Sequence, residues 1–441
     1  MGTYLSKTPG GAGNRGIWTV SCWVKRSNPT HRTVLFGTPG SDNNSTMSFI
    51  LHQDSGVRFG CQTFNVFTTT NTFVMRDPAS WYHLVLSIDT SQGSSDNRTK
   101  FYINGERFTN FDGNNLNSIT NGFQYGWNNT ILHTLGAENA GSPADFMDGY
   151  ITNFVNIDGQ ALGPSSFGET DSTTGEWKPK ADLSGLTFGT NGFWLKYESA
   201  GNLGLDSSGN SNAYTVHNAG TNAQTKDTAN NNFVTWNALV NRSFQYPMTL
   251  SEGNLKVIAD SNTSYGSTMA ATVSLGKGKW FWEFKYTTSG TGGYVVGWGE
   301  DTYNFNYQAD AYPYKSTLGS SSGVFYRADG GKAVNGTETG SAGDAWAQND
   351  IIGVAADLNA KTISFYNQGV LQFTVTSAFT AGVSYYPEFY GYGSKGGQAN
   401  FGNPPYTIAS GNADANGHGN FEYAVPSGYY ALCTRNINQY G

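Results

Sequence analysis

The sequence predicts an all-β protein made of two β-sandwiches in tandem. Composition is the first indication, because aromatic residues make up 15% of the chain, charged residues only 13%, and glycine occurs 57 times. Aromatic and threonine-rich runs punctuated by Gly, Asn and Ser favour strands joined by many turns. The second indication is negative, since no window of twelve or more residues has the apolar spacing of a helix.

Strand-length apolar runs recur along the chain, with turn signals between them. Short strands at this density are typical of sandwiches. The first series of predicted strands comprises 17–25, 33–37, 47–52, 57–63, 81–89, 100–103, 149–157 and 192–197. The second comprises 254–258, 269–273, 278–286, 294–299, 323–326, 350–357, 362–367 and 383–391.

The third indication is a stretch of text that occurs twice. WYHLVLSIDT and KFYINGERF in the first half return as DIIGVAADLNAKTISFYNQGVLQF in the second. Leu84, Leu86 and Ile88 alternate onto one face of a strand, and the residues between them face the other way. Asn104-Gly105 predicts a tight turn with positive φ, and Gln368-Gly369 stands at the equivalent place. Each copy therefore predicts a meander of three strands at the centre of its own sandwich.

These signals divide the chain into four predicted segments. Residues 1–200 form the first sandwich, and GFWLKY returns late to complete it. Residues 201–245 form a loop-rich connector that is ordered, because its isolated aromatics favour burial. Residues 246–408 form the second sandwich, and 409–441 form a C-terminal segment with a closing strand.

The motifs of the two halves resemble two known domain families. The first half resembles the laminin G-like, or concanavalin A-like, jelly rolls through IWTVSCWVKR, WYHLVLSIDT, KFYINGERF and FMDGYITNFVNIDGQAL. The second half resembles the SPRY domain, also a concanavalin-like sandwich, through GKGKWFWEFKY, YVVGWGED, DIIGVAADLNAKTISFYNQG and YYPEFYGYG. The resemblance implies two concanavalin-like jelly rolls, the laminin G-like domain followed by the SPRY-like domain.

The whole arrangement, joined by FGETDSTTGEWKPK, DSSGN and DTANNNF, is similar to virion proteins of tailed bacteriophages, notably marine ones. That resemblance implies a tail fibre, knob or capsid-decoration component exposed on the particle surface. Its expected partners are other virion proteins, a host-surface glycan or protein, and further copies of itself. Nucleic acid is not expected, because the net charge is −7 and there is no basic stripe. Membrane insertion is not expected either, because no apolar run is long enough.

The carboxylates do not predict catalysis. Glycoside hydrolysis needs two carboxyl groups that flank one bond. Glu283 stands alone among aromatics, and Glu106 and Glu300 have no acidic partner two positions away on a strand. We therefore expect no enzyme activity. A polysaccharide depolymerase of the concanavalin-like fold is the rival interpretation, and a purely architectural capsid or tail component is the third. The sequence also places His83 in a strand, facing solvent or a partner strand.

Metal and redox chemistry are not expected. The resemblance to laminin G-like sandwiches implies one Ca²⁺ at a rim as an alternative, but turns also collect aspartates without a metal. The three cysteines, Cys22, Cys61 and Cys433, are expected to be free thiols in preference to a bridge between the first two. No cofactor is expected. The candidate calcium oxygens are those of Asp42, Asp54, Asp89, Asp96, Asp112, Asp145 and Asp148.

Loop aromatics are the candidate ligand-binding residues. Sugars and flat ligands stack on exposed rings, while nearby Asn, Asp and Gln fix hydroxyl groups. Two polar stretches, 300–315 and 109–129, have that makeup. Contact with a ligand, contact with another subunit, and packing against the chain's own core are equally compatible with it. The candidates are Tyr303, Phe305, Tyr307, Tyr312 and Tyr314 in the first stretch, and Phe123, Tyr125 and Trp127 in the second.

Overall fold

The protein folds into two compact units, and nearly all of its regular structure is β. A computed structural model describes residues 2–54, 56–114, 116–139, 142–220, 222–241, 247–261, 266–289, 294–300 and 323–441. The N-terminal unit comprises Met1–Gln224 and Thr228–Asn230, and the C-terminal unit comprises Thr225–Asp227 and Asn231–Gly441. The predicted fold class is confirmed. The stretch 201–245, predicted as a connector, is shared between the two units.

The N-terminal unit contains short strands joined by many turns. Its described residues contain one α-helix, α1, a single turn at Ser95–Arg98, and 3₁₀ helices at Leu116–Ser118 and Pro164–Ser166. Its strands are β1 Tyr4–Lys7, β2 Ile17–Arg26, β3 Thr33–Thr38, β4 Met47–Leu51, β5 Val57–Cys61, β6 Asn65–Thr68, β7 Tyr82–Asp89, β8 Thr99–Ile103, β9 Glu106–Phe108, β10 Gly113–Asn114, β11 His133–Leu135, β12 Glu138–Asn139, β13 Pro143–Ala144, β14 Gly149–Asp158, β15 Gly168–Thr170, β16 Trp177–Pro179, β17 Phe193–Leu195 and β18 Thr215–His217.

Two antiparallel sheets enclose the main core of this unit. One has the strand order β10-β6-β5-β4-β3-β11-β1-β18, and the other has the order β17-β14-β2-β7-β8-β9. The first copy of the repeated motif forms the predicted three-strand meander, β7-β8-β9, but the meander lies at one edge of the second sheet and not at the centre that the sequence predicts. Leu84, Leu86 and Ile88 of β7 enter the main core, so the alternation along this strand is the one that the sequence indicates. The hairpin between β8 and β9 turns at Asn104 and Gly105, whose φ values are 48° and 89°.

The outer face of the six-stranded sheet is buried as well. Val85 of β7, Val155 of β14 and Trp194 of β17 form a second apolar cluster there with Phe167 and Leu183. The last two residues come from the segment between β14 and β17, which lies across the sheet. The face opposite Leu84 is therefore not a solvent face.

The C-terminal unit repeats this architecture with longer strands. Its α-helix, α2, spans Thr434–Tyr440 at the end of the chain. Its strands are β19 Trp236–Asn241, β20 Thr249–Ser251, β21 Lys256–Ile258, β22 Ser267–Ala271, β23 Lys279–Tyr286, β24 Tyr294–Glu300, β25 Gly323–Arg327, β26 Lys332–Val334, β27 Thr337–Thr339, β28 Ile351–Asp357, β29 Thr362–Asn367, β30 Val370–Thr376, β31 Tyr385–Gly391, β32 Gly396–Asn400 and β33 Tyr430–Ala431.

Its two sheets have the orders β19-β22-β31-β24-β25-β26-β27 and β20-β21-β32-β23-β28-β29-β30. Trp280, Trp282 and Trp298 are fully buried between them. The second meander, β28-β29-β30, is also present, and it turns at Gln368 and Gly369 with φ values of 50° and 77°.

The C-terminal segment covers the outer face of the second of these sheets. Strand β33 pairs parallel with β23, and Phe421 and Cys433 pack on Phe281 and Ala355. The regular elements that the structure describes in 409–441 are the two-residue strand β33, in the segment where a closing strand is expected from the sequence, and helix α2, which was not predicted. No helix within the described ranges is long and apolar enough to cross a membrane.

Candidate functional site

A cleft of about 480 Å³ opens at one edge of the N-terminal sandwich. The six-stranded sheet ends there at β9, and the eight-stranded sheet ends at β10. One wall is the loop between β7 and β8, where Ser94, Asp96 and Asn97 present polar side chains. The volume of the cleft lies within the range of roughly 300–1,000 Å³ that is typical of small-molecule sites in proteins.

The facing wall is aromatic. Phe108 and Phe111 line the cleft, half-buried, with ring centroids 5.4 Å apart. Behind them lie two fully buried rings, because Phe108 is 6.2 Å from Phe101 and Phe111 is 4.7 Å from Phe67. The core therefore holds both cleft rings in place, so a ligand that stacks on them would not have to order them first.

Two arginines fix the polar wall. Arg107 donates from Nη2 to the carbonyl oxygen of Asp96 at 2.6 Å, which ties strand β9 to the loop across the cleft. Arg98 anchors the same loop, and its guanidinium donates to the carbonyl oxygens of Gln92, Gly93 and Ile119 at 2.7–2.8 Å. These backbone contacts keep the loop in one conformation and leave its side chains available.

Several polar groups of the cleft have no partner within the described part of the chain. The side chains of Ser94, Asp96, Asn97 and Thr109 line the cleft and make no hydrogen bond to any described residue. Together they offer carboxylate, amide and hydroxyl groups beside two aromatic rings. A small polyhydroxylated ligand needs such a combination, a ring to stack on and polar groups for its hydroxyls.

The predicted ligand-binding aromatics fall into two groups. Tyr303, Phe305, Tyr307, Tyr312 and Tyr314 lie outside the described residues. In the second stretch, Tyr125 and Trp127 are 0% exposed and belong to the main core. They cannot stack on a ligand from solution, and of the three interpretations packing against the chain's own core describes them. Phe123 packs on that core too and is partly exposed.

The cleft uses the beginning of the same stretch, Thr109 and Phe111, together with residues that were not predicted. Asn97 and Phe108 escaped prediction, and Asp96 was considered only as a candidate calcium ligand, because no local pattern brings the three together. One signal was available, since the loop between the first two strands of the meander is much longer in the first copy, between Asp89 and Thr99, than in the second. An insertion in one of two similar copies indicates a local role.

Glu283, the isolated carboxylate of β23, is buried and hydrogen-bonded to the C-terminal segment. It is 0% exposed, and its oxygens accept hydrogen bonds from the backbone N–H groups of Glu422 and Tyr423 at 3.0 and 2.8 Å and from Asn400 Nδ2 at 3.0 Å. Burial raises the pKa of Glu283 to about 7, although these hydrogen bonds oppose the shift. The carboxylate holds the C-terminal segment against the sheet.

Two histidines of the N-terminal unit are buried and neutral. His83 lies under Trp177, whose Nε1–H donates to His83 Nδ1 at 2.9 Å, so the ring proton sits on Nε2, 2.8 Å from Ser21 Oγ. His133 Nε2 accepts from the N–H of Asn128 at 2.9 Å. Burial lowers the pKa of His83 to about 3 and that of His133 to about 4. His83 lies in strand β7, as the sequence predicts, and it does not face solvent because Trp177 covers its ring.

The candidate calcium ligands lie apart, and most are engaged locally. Asp42 accepts from Ser45 Oγ at 2.9 Å, Asp89 from Ser91 Oγ at 2.6 Å, and Asp145 pairs with Arg32. No group of three or more His, Cys, Asp or Glu side chains in the described residues could hold a metal ion. The described cysteines are free thiols, and burial raises the pKa of Cys61 to about 12 and that of Cys433 to about 11.

Comparison with known families identifies the two sandwiches. The model described as the Concanavalin A-like lectin/glucanases superfamily matches residues 4–166. The model of the SPRY domain matches residues 279–404. The chain therefore carries a concanavalin-like domain of the laminin G type followed by a SPRY domain, in the order that the sequence motifs indicate. Domains of these kinds fit a binding or adhesion role.

Solved structures similar to the chain include three SPRY domains, each with a TM-score of 0.28. The SPRY domain of human HERC1 is 23% identical, and the match covers 34% of this chain and 89% of the HERC1 chain. The TRIM65 PSpry domain is 15% identical, with coverages of 38% and 91%. A human SPRY domain is 14% identical, with coverages of 37% and 97%. No curated protein matched the chain.

Proposed function

We propose that this protein is a non-enzymatic structural and adhesion component of a tailed-bacteriophage particle, such as a tail fibre, knob or capsid decoration. It binds a host-surface glycan or protein, contacts other virion proteins, or does both. The observation that carries the proposal is the tandem arrangement of a concanavalin-like and a SPRY domain. Both are sandwiches whose loops can vary while the sheets remain intact.

The carboxylates support a role in binding without turnover. Hydrolysis of a glycosidic bond needs an acid and a second carboxylate about 5–10 Å apart. Glu283 is enclosed and hydrogen-bonded to the C-terminal segment, so no substrate reaches it in this fold. Asp96 is the only carboxylate among the described residues that line the cleft.

The location of the protein on the particle tests the virion part of the proposal. We expect mass spectrometry of purified phage to detect the chain, and electron cryo-microscopy to place both sandwiches on the outer surface of head or tail. Purified protein should also compete with phage for adsorption to host cells. Absence of the chain from purified particles would refute the virion assignment.

A second assay tests the absence of turnover. Purified protein is incubated with host capsule or lipopolysaccharide, and reducing ends are measured against a phage depolymerase as positive control. We expect no release above the buffer blank. New reducing ends that require this protein would establish a depolymerase. Surface location without any effect on adsorption would instead establish a purely architectural component.

A further inference from the structure

We propose that the cleft between the β7–β8 loop and strand β9 is a saccharide-binding site, with Phe108 and Phe111 as the stacking surface and Asp96 and Asn97 as the hydroxyl-binding groups. This inference rests on the proposed binding function and names the ligand class and the place of binding.

The stacking surface suits the apolar face of a sugar ring. A pyranose presents C–H groups on one face and hydroxyl groups around its rim, and the C–H face packs on aromatic carbon. Phe108 and Phe111 are both half-buried, and buried rings support them from behind at 6.2 and 4.7 Å. Being fixed before the ligand arrives, they lose little conformational freedom on binding.

The polar wall suits the hydroxyl rim. A carboxylate accepts two hydrogen bonds from neighbouring hydroxyl groups, and a primary amide can both donate and accept. The side chains of Asp96 and Asn97 make no hydrogen bond to any described residue, and the backbone beneath them is held by Arg107 at 2.6 Å. Their hydrogen-bonding capacity is therefore open to a ligand.

The charges of the described cleft lining balance, since Asp96 is its one carboxylate and Arg107 its one guanidinium. A neutral sugar with free hydroxyl groups therefore fits the cleft without an uncompensated charge, and the Nη2 of Arg107 already donates to the carbonyl of Asp96. With one carboxylate in the described lining, the cleft has the groups for holding a sugar and lacks the pair for cleaving it.

The test uses the full chain. We would screen it on an array of bacterial capsular polysaccharides and O-antigens, and measure saturation-transfer difference spectra with the methyl glycosides of glucose, galactose, mannose and N-acetylglucosamine. The best binder is then titrated against Asp96→Ala and Asn97→Ala. The loss of charged or multiple hydrogen bonds should weaken binding about tenfold in each variant.

Glu106→Ala and Asn117→Ala are matched controls. Both residues are exposed and lie outside the cleft lining. The two substitutions remove the same chemical groups as those in the cleft, a carboxylate and a primary amide. The controls should bind within about twofold of the unchanged chain, because no contact to the sugar is lost. All four variants should keep the melting temperature, since none of the four side chains is buried.

The outcomes separate this inference from the proposed function. Loss of binding in Asp96→Ala and Asn97→Ala, with both controls unchanged, supports the cleft. Saccharide binding that all four variants retain overturns the cleft and leaves the adhesion function intact. No binding to any array member or methyl glycoside also overturns the cleft, while the adsorption assay still tests adhesion through protein.

Discussion

At the scale of single residues, two buried ionisable groups respond to acid in opposite directions. His83 is neutral in the folded state because burial lowers its pKa from 6.5 to about 3. In the unfolded chain this histidine takes up a proton near pH 6.5, whereas in the folded chain it does not. The stability that this histidine contributes is therefore complete above that pH and is lost as the pH falls towards 3.

We expect His83→Gln to reduce this acid sensitivity. Between about pH 7 and about pH 5, the free energy of unfolding of the N-terminal unit should fall by about 2 kcal/mol more in the unchanged protein than in the variant. Chemical denaturation at the two pH values measures the difference. Nitrogen NMR should show a His83 ring protonated at Nε2 throughout. Equal losses in both proteins would contradict a buried, neutral ring.

Glu283 has the opposite effect. Burial raises its pKa from 4.5 to about 7 in the folded state, so the folded chain holds a proton that the unfolded chain has already released. The group therefore destabilises the fold above about pH 7, and this cost disappears as the pH falls towards 4.5.

Glu283→Gln should remove that dependence. From about pH 7 to about pH 5, the C-terminal unit of the unchanged protein should gain about 2 kcal/mol relative to the variant. Glu422→Gln is the comparison variant, because it keeps the backbone N–H that donates to Glu283 and removes a partly exposed carboxylate whose charge is the smallest cause of the raised pKa, so most of the pH dependence should remain. A pH profile shared by the unchanged protein and Glu283→Gln would show that Glu283 titrates in the fold as it does in the unfolded chain.

At the scale of elements, the C-terminal segment is a structural layer of its sandwich. Phe421 is 0% exposed and meets Phe281 of β23 edge-on, with ring centroids 5.2 Å apart. We expect Phe421→Ala to lower the free energy of unfolding of the C-terminal unit by about 3–5 kcal/mol, the usual cost of truncating a buried aromatic. Thermal unfolding followed by tryptophan fluorescence measures the loss.

Tyr423→Phe is the matched control in the same segment. It removes one partly exposed hydrogen bond, from Tyr423 Oη to Gln368 Oε1 at 2.8 Å, and keeps the ring. The cost should stay below about 1 kcal/mol. If Phe421→Ala were as mild as this control, the segment would not be part of the hydrophobic core.

The meander strands could be predicted because their alternation is strong and local. Leu84, Leu86 and Ile88 repeat with a period of two, and Asn104-Gly105 is the most specific short turn signal known for hairpins. Both features are confirmed. Strand β18 is different, since it consists of three residues that pair with β1 from more than two hundred positions away. Only tertiary contact stabilises such a strand.

The outer layers and the cleft could not be predicted for a related reason. His83 and Val85 alternate with the core residues as solvent-facing residues would, and the segment that covers them carries no periodic signal. The cleft depends on which loops meet at one sheet edge, which follows from strand order. For rings such as Tyr125 the sequence left ligand contact, subunit contact and core packing equally open, because loop aromatics look alike in sequence whether they point in or out.

At the scale of the whole molecule, each unit has its own hydrophobic core and its own buried titrating groups. We expect calorimetry to resolve two unfolding transitions that respond differently to acid. From about pH 7 to about pH 5, the N-terminal transition should fall by roughly 5–15 °C through His83 and His133. The C-terminal transition should be partly protected by Glu283.

A variant that combines His83→Gln, His133→Gln and Glu283→Gln provides the reference, because it keeps the other carboxylates and their shared acid response. In this variant the two transitions should shift by similar amounts. If acid shifted the two transition temperatures of the unchanged protein by the same amounts as those of the triple variant, the three buried groups would not determine the pH response.

The segments that cover the outer sheet faces also determine the boundaries of a stable recombinant fragment. The SPRY match ends at residue 404 and the concanavalin-like match at residue 166. A recombinant SPRY fragment that ends at residue 404 would lack Phe421 and Cys433. A concanavalin-like fragment that ends at residue 166 would lack Leu183 and Trp194. Each fragment would expose a hydrophobic sheet face to water. Fragments for crystallisation or binding work should therefore run to about residue 224 for the first half, and begin near residue 225 and include the final helix for the second.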